Sequence, residues 1–165
     1  MSVEDVVIGA LPDEVGFLAA LLGTWVGEGR GEYPTMEAFD YGERLTFDHV
    51  GDAFLQYVHR SWLLEDGTPL HFERGFLRPG AEAGAVELTL AHPLGLTEVS
   101  HGTLIDGRMD LVATSMGRTA TGMAVVGVAR RYRIDGDEIA YELDMATETT
   151  PMVRHLTGRV RRVSG

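Results

Sequence analysis

Hydrophobic and polar residues alternate with a period of two over most of the chain, from residue 25 to the C-terminal end. Each run has the length and alternation typical of a β-strand with one buried face. The predicted strands are 25–31, 41–49, 54–63, 70–78, 86–91, 96–105, 108–115, 125–134, 138–145 and 155–163. Turn residues separate most of them, and the Asp-Gly pairs at 106–107 and 135–136 are strong hairpin signals.

Short strands joined by tight turns, with no long helix between them, predict an all-β fold. We expect an antiparallel up-and-down barrel of about ten strands, of the lipocalin and fatty-acid-binding type, because closing the sheet removes its two exposed edges. A barrel of this size has room for a ligand. The whole chain, 1–165, is then one barrel domain, with 1–10 as a loose leader. The breaks longer than a hairpin needs are 32–40, 92–95, 116–124 and 146–154.

One helix is expected before the first strand. Pro12 stands near its start, Asp13 and Glu14 fall in its first turn, and Gly23 is a stop signal. Apolar residues at helical spacing within it are Phe17, Leu18, Leu21 and Leu22. The segment is predicted to cap one apolar end of the barrel.

The first strand carries an unusual glycine pattern. Gly23, Trp25, Gly27 and Gly29 stand at every second position and so lie on one face of the strand. Interior glycine weakens a strand and marks the close approach of another backbone or of a ligand, which predicts a tightly coiled strand here. The same glycines resemble part of a dinucleotide-binding fingerprint, but Pro34 follows and no helix opens, so the pattern does not indicate a nucleotide site.

The composition argues against several classes of protein. The chain of 165 residues has a net charge of −11, which opposes binding to nucleic acid or to an anionic membrane. It contains no cysteine, which excludes disulfides, thiolate catalysis and covalently attached haem and fits a reducing compartment. It has no apolar run of membrane-spanning length and no signal-peptide pattern. We therefore expect a soluble, cytoplasmic protein.

Six histidines are the main candidates for chemistry: His49, His59, His71, His92, His101 and His155. No two of them stand three to five residues apart, so the spacing does not predict a zinc motif. No Gly-x-Ser-x-Gly elbow accompanies them, which argues against acyl transfer. His155 differs from the others because it follows a loop, 147–154, and opens the last strand.

The segment Gly-Thr-Trp-Val-Gly-Glu-Gly at 23–29, followed by Tyr-Pro-Thr at 33–35 and by Pro151 and His155-Leu156, resembles the nitrobindins. These are haem-binding ten-stranded barrels, and the likeness extends from about residue 17 to 163. The resemblance implies that His155 is the axial ligand of ferric haem b, that Thr35 and Met145 belong to the haem pocket, and that Gly23, Trp25, Gly27 and Gly29 are the family motif.

The same resemblance implies a chemistry. An open, solvent-accessible ferric iron would bind nitric oxide and isomerise peroxynitrite to nitrate, with no side chain needed as a general acid or base. The family often has a lysine on the strand 125–134 near the haem edge. This chain has no lysine, so Arg130 is the candidate replacement. Arg44, Arg130 or Arg131 would offset the propionates at the mouth, and a homodimer is among the expected assemblies.

Two alternatives follow from the residues alone. An iron-free barrel that carries a fatty acid or another apolar molecule needs the same cavity and no His155. A filled barrel would be an interaction domain.

The direction of the His155 side chain helps to distinguish a haem protein from these alternatives. Simple alternation along the strand places His155 and Thr157 on the face opposite Leu156 and Val160, and so directs His155 outward. A β-bulge at the strand start would turn it inward.

Overall fold

The computed structural model describes residues 8–164, which form one short helix and ten strands. The helix is Asp13–Leu21, and the strands are β1 Gly23–Tyr33, β2 Met36–Asp48, β3 Leu55–Leu63, β4 Pro69–Pro79, β5 Ala85–His92, β6 Leu96–Ile105, β7 Arg108–Arg118, β8 Val125–Asp135, β9 Glu138–Thr147 and β10 Val153–Ser164. Of the predicted leader 1–10, residues 1–7 lie outside the described range, and 8–10 form neither helix nor strand.

The strands close into a barrel in which each strand pairs with its neighbours in the chain and β1 pairs with β10. All the ladders are antiparallel, which confirms the predicted up-and-down barrel of ten strands. The Asp106-Gly107 hairpin forms as its sequence predicts, since both residues have positive φ, 49° and 72°. No helix of the described residues is long and apolar enough to cross a membrane.

The N-terminal helix is a 3₁₀ helix. Its buried side chains are Val15, Leu18 and Leu21, spaced by the three residues of one 3₁₀ turn, so they stack on one face. Phe17, which we expected on the apolar face, is instead 39% exposed because the tighter turn rotates it outward. The Trp25 indole N–H donates to the Leu21 carbonyl at 2.8 Å and thereby fixes the helix against β1.

Three breaks are clearly shorter than the sequence predicted. The break 146–154 is reduced to 148–152, and β10 begins at Val153, so His155 is the third residue of the last strand and does not open it. The segment 32–40 is not a loop: β1 runs to Tyr33, β2 begins at Met36, and a two-residue turn joins them. Likewise β7 continues to Arg118 and leaves 119–124 as the connection to β8. Charged residues and glycine at these strand ends, such as Glu37, Gly117 and Arg118, interrupt the alternation that predicted the strands.

The barrel wall divides between β7 and β8. Among the described residues, their ladder pairs Arg108–Val112 with Ala129–Arg133 and extends no further. Beyond that point β7 continues along β6 as far as Arg118, and β8 begins at Val125 along β9. One end of the barrel is therefore split between two strands that share no ladder bonds there.

The interior has two apolar regions of unequal size. The larger cluster fills the end capped by the helix and includes Trp25, Phe47 and Leu77. The smaller one, around Leu96 and Val128, lies toward the divided end. Between them, the strands place a layer of buried ionisable side chains, namely Glu43, His59, Glu73, Glu98 and Arg130. We call this set the polar layer.

Candidate functional site

A cavity of about 490 Å³ occupies the divided half of the barrel, within the range of small-molecule sites. Its walls are mainly apolar, with Leu96, Val128 and Leu143 among the lining residues, and Met116 and Val125 line it beside the gap between β7 and β8. His59, Glu73 and Arg130 of the polar layer also line it. The space is therefore apolar on its sides and charged where it meets the polar layer.

His155 lines this cavity because β10 carries a bulge at its position. Arg154 pairs with Asp144, while Leu156 pairs with the adjacent Leu143, so His155 is the extra residue of β10. One additional residue shifts the alternation and turns a side chain to the other face. The bulge brings both His155 and Leu156 to the cavity, which resolves the parity conflict in the sequence.

The His155 ring is held in one tautomer. Its Nδ1–H donates to the Glu32 carbonyl oxygen at 3.1 Å, which leaves Nε2 with its lone pair. Burial lowers the pKa of His155 below its usual 6.5, and the neighbouring His71 lowers it further, against the opposing effect of the Glu32 carbonyl. The imidazole is thus neutral at neutral pH and can donate Nε2 to a metal.

Tyr33 supports the ring from the side. Its ring meets that of His155 edge to face at 5.3 Å between centroids, and its hydroxyl donates to the Met145 carbonyl at 3.3 Å. This contact joins the end of β1 to β9, and β10 lies between those two strands. Tyr33 belongs to the Tyr-Pro-Thr segment, but its packing against His155 could not be seen in the sequence.

Of the other expected pocket residues, Met145 lines the cavity and Thr35 does not. Met145 lines the cavity from β9 and is half-buried. Thr35 is exposed in the turn between β1 and β2 and is not among the cavity-lining residues, although Met36 beside it is. Gly27 and Gly29 face inward on β1, where a Cβ at Gly27 would lie 2.0 Å from the Arg159 carbonyl oxygen.

Arg130 does not lie at the mouth, where we expected it to face the propionates. Its side chain is 3% exposed and donates to Glu73 at 2.9 Å and to Glu98. The alternating positions of β8 direct it into the barrel, where two buried carboxylates hold it. Arg44 is exposed, and Arg131 pairs with Glu142 and Asp144 on the outer face.

Acidic residues outnumber basic residues in the polar layer. Burial alone would raise the pKa of Glu73, but Arg130, His59 and His71 outweigh it and hold that pKa well below its usual value. For His59, burial opposes protonation, yet the carboxylates of Glu43 and Glu73, 2.8 Å and 3.7 Å from its ring nitrogens, raise its pKa to about 9. The layer thus contains three carboxyl groups, one guanidinium group and one imidazole.

Sequence reasoning missed this layer. Its members occupy inward positions of β2, β3, β4, β6 and β8, on the same strand face as buried apolar residues. Glu43, for example, lies between Tyr41 and Leu45 on the inward face of β2. A charged residue at a position where the alternation predicts a buried apolar one is the signal that could have found them. It was not used because acidic residues are abundant in this chain.

The residues present fit a haem. One neutral imidazole with a free Nε2, beside an apolar cavity, is the donor set that a haem iron takes from a proximal histidine. Apolar walls suit the macrocycle, and the second cavity of the barrel, on the outer face, is lined by charged residues such as Arg131 and Glu142 and offers no such donor.

Comparison with known proteins agrees with this geometry. Residues 14–162 match the family described as THAP4-like, heme-binding beta-barrel domain. The chain is similar to "Peroxynitrite isomerase 2" of Mycobacterium ulcerans, with 45% identity over 93% of this chain and 98% of the relative. It is also similar to "Peroxynitrite isomerase" of Nocardia farcinica, with 44% identity over 93% of each chain.

Among solved structures, the chain is similar to the crystal structure of Rv2717c from M. tuberculosis. The two superpose with a TM-score of 0.85 and 40% sequence identity, over 93% of this chain and 99% of that one.

Proposed function

The chain belongs to the THAP4-like, haem-binding β-barrel family, the nitrobindins, and we propose that it is a haem-dependent peroxynitrite isomerase with His155 as the axial ligand. The observation that carries the ligand assignment is the bulge in β10, which turns a neutral imidazole into the cavity. We further propose that the cofactor is haem b in the ferric state and that nitric oxide binds at the same site as peroxynitrite.

His155 would hold the iron through Nε2, while its Nδ1–H bond to the Glu32 carbonyl orients the ring and raises its basicity. The ring of Tyr33 limits its rotation. Met145 and the apolar walls would contact the macrocycle and exclude water from it. When bound, ferric haem supplies a Lewis-acidic iron for the rearrangement of peroxynitrite to nitrate, which consumes no reductant.

Other parts of the proposal rest on the resemblance. Thr35 stays a proposed pocket residue, supported by its position beside Met36. We propose that Arg130 shapes the charged end of the cavity, since both of its carboxylate partners are buried. A cytoplasmic location suits a chain without cysteine. A homodimer stays a prediction that sedimentation can check.

The test is an absorption titration of haem-free protein with hemin, on the wild type, His155→Ala and His101→Ala. His101 is exposed on β6 and serves as the matched control. We expect a saturable Soret band at one haem per chain for the wild type and for the control, and its loss in His155→Ala. An unchanged spectrum in His155→Ala would refute the ligand assignment.

Activity is tested with the same samples. The decay of peroxynitrite, followed with nitrate yield, should accelerate with holo-protein and stay at the buffer rate with haem-free protein. Equal decay in both would refute the isomerase proposal. Absence of any specific Soret band would favour the apolar carrier, and solvent extraction of the purified protein would then search for a bound lipid.

A further inference from the structure

We infer that His71, Glu73 and His92 form a second metal site in the cavity, for a divalent transition-metal ion such as Zn²⁺, separate from the haem ligand. The donor atoms are His71 Nε2, Glu73 Oε2 and His92 Nδ1. His71 and Glu73 are alternate residues of β4 and face the same way, and His92 ends the neighbouring β5. The two histidines are 21 residues apart, so no sequence motif shows the site.

The three atoms form a nearly regular triangle. His71 Nε2 lies 3.1 Å from Glu73 Oε2, His92 Nδ1 lies 3.4 Å from His71 Nε2, and His92 Nδ1 lies 3.5 Å from Glu73 Oε2. A tetrahedral site with metal–ligand bonds of about 2.0–2.1 Å has edges of roughly 3.3–3.4 Å. The triangle therefore has the size of one face of a zinc tetrahedron.

A second observation concerns the far side of the His92 ring. The His92 side chain is 6% exposed, and its Nε2 and Glu98 Oε2 are buried without a hydrogen-bond partner among the described residues. These two atoms lie 3.6 Å apart. A histidine that binds a metal through one nitrogen usually donates the other N–H to a carboxylate. Glu98 stands where that partner is required.

Glu73 has the acceptor capacity for a metal. Its Oε1 accepts from the Tyr57 hydroxyl at 2.8 Å, and its Oε2 accepts from Arg130 at 2.9 Å. Each carboxylate oxygen has two lone-pair positions, and the one on Oε2 that faces His71 Nε2, 3.1 Å away, is the one that a metal would take.

The site would have three protein ligands and one open position. All three ligands line the same cavity as His155, so the fourth position faces the cavity and can take water or a small anion. Two histidines and one carboxylate with an open position are typical of reactive rather than purely structural metal sites. His155 supplies none of the three ligand atoms, so the metal site does not depend on the proposed haem ligand.

Calorimetric titration of haem-free protein with Zn²⁺ tests the site. The chain has no cysteine, so any tight site must use histidine or carboxylate. We expect one Zn²⁺ per chain, with affinity reduced in His92→Ala and in His71→Ala by more than the ~10- to 100-fold that loss of an outer-shell partner costs. The exposed control His101→Ala should bind Zn²⁺ as the wild type does, and His155→Ala distinguishes this site from Zn²⁺ binding at the proposed haem ligand.

Absence of saturable binding in the wild type would overturn the inference, as would wild-type affinity in folded His92→Ala or a loss confined to His155→Ala. Circular dichroism and thermal melts establish that each variant is folded. X-ray absorption at the zinc edge of the wild type does not depend on variants. It should show two imidazoles and one carboxylate, and a shell of water oxygens would contradict the site.

Discussion

Asp144 holds the segment from which His155 projects. Its carboxylate accepts from Arg154 at 2.6 Å and from Arg131 at 2.7 Å, and Arg154 immediately precedes the bulge. Burial alone would raise the pKa of Asp144, but the two guanidinium groups outweigh it and lower that pKa below its usual 3.8. The pairs join β8, β9 and β10 on the outer face of the barrel.

We predict that Asp144→Asn lowers the free energy of unfolding by about 1 kcal/mol at neutral pH, because partly exposed ion pairs contribute modestly. A lowered carboxylate pKa contributes stability above the unfolded value of 3.8, and this contribution is lost as pH falls through the lower folded value. The difference between wild type and variant should therefore shrink in acid. Urea unfolding at neutral pH and at several values below 3.8 measures it.

The matched control is Asp110→Asn. Asp110 is exposed and lies 3.9 Å from Arg108, so its loss should change stability little at any pH. Equal losses in both variants, or a difference for Asp144→Asn that persists unchanged in strong acid, would contradict the prediction.

At the scale of single residues, the sequence indicates which side chains are candidates for the site better than it indicates what surrounds them in the fold. His155 became a candidate through its family motif, and its inward direction depends on a one-residue shift against β9 that alternation cannot show. Arg130 was expected at the mouth as a replacement for the family's lysine. Its buried partners, Glu73 and Glu98, come from distant strands and could not be inferred from the sequence. Pairings between strands far apart in the chain are set by barrel closure, which no local pattern encodes.

At the scale of elements, the inward glycines of β1 let the barrel coil tightly. A Cβ at Gly27 would lie 2.0 Å from the Arg159 carbonyl oxygen and 2.7 Å from Val160 Cα, both of which are backbone atoms of β10. Period-two alternation predicted all ten strands and their order, because each strand has one face toward the interior. The ends of β2 and β7 were missed, since both faces are largely exposed there.

We predict that Gly27→Ala destabilises the protein by about 2–3 kcal/mol, because the backbone of β10 cannot move aside without breaking the ladder between the two strands. Gly16→Ala is the matched control, since a Cβ at Gly16 would meet nothing within 4 Å. That variant should change stability by less than about 0.5 kcal/mol. Chemical unfolding measures the free energy of unfolding of both variants. A Gly27→Ala protein as stable as the wild type would be inconsistent with so close an approach of β10.

At the scale of the whole molecule, the barrel is packed at one end and hollow at the other. The larger apolar cluster and the 3₁₀ helix close one end, and the cavity occupies the other. The closed topology was predictable because tight hairpins and a long series of strands leave few alternatives. The division between packed and hollow halves was not, since it depends on how side chains from ten strands meet.

Hemin should stabilise the folded protein as a ligand that binds only the native state. At a free concentration of one hundred times its Kd, the gain is about 2.7 kcal/mol, which corresponds to a rise in Tm of roughly 5–10 °C for a domain of this size. Thermal melts monitored by circular dichroism, with and without hemin, measure the shift. His155→Ala should lose most of it, and an equal shift in that variant would point to binding elsewhere.

The divided wall between β7 and β8 affects how fast a ligand can enter and leave the cavity. A ligand that enters there separates strand ends that already share no ladder bonds, so entry breaks none of the hydrogen bonds that close the barrel elsewhere. Local openings of this kind are faster and less costly than global unfolding. We therefore expect cofactor exchange to be much faster than unfolding, so that a folded, empty barrel can be loaded again without refolding.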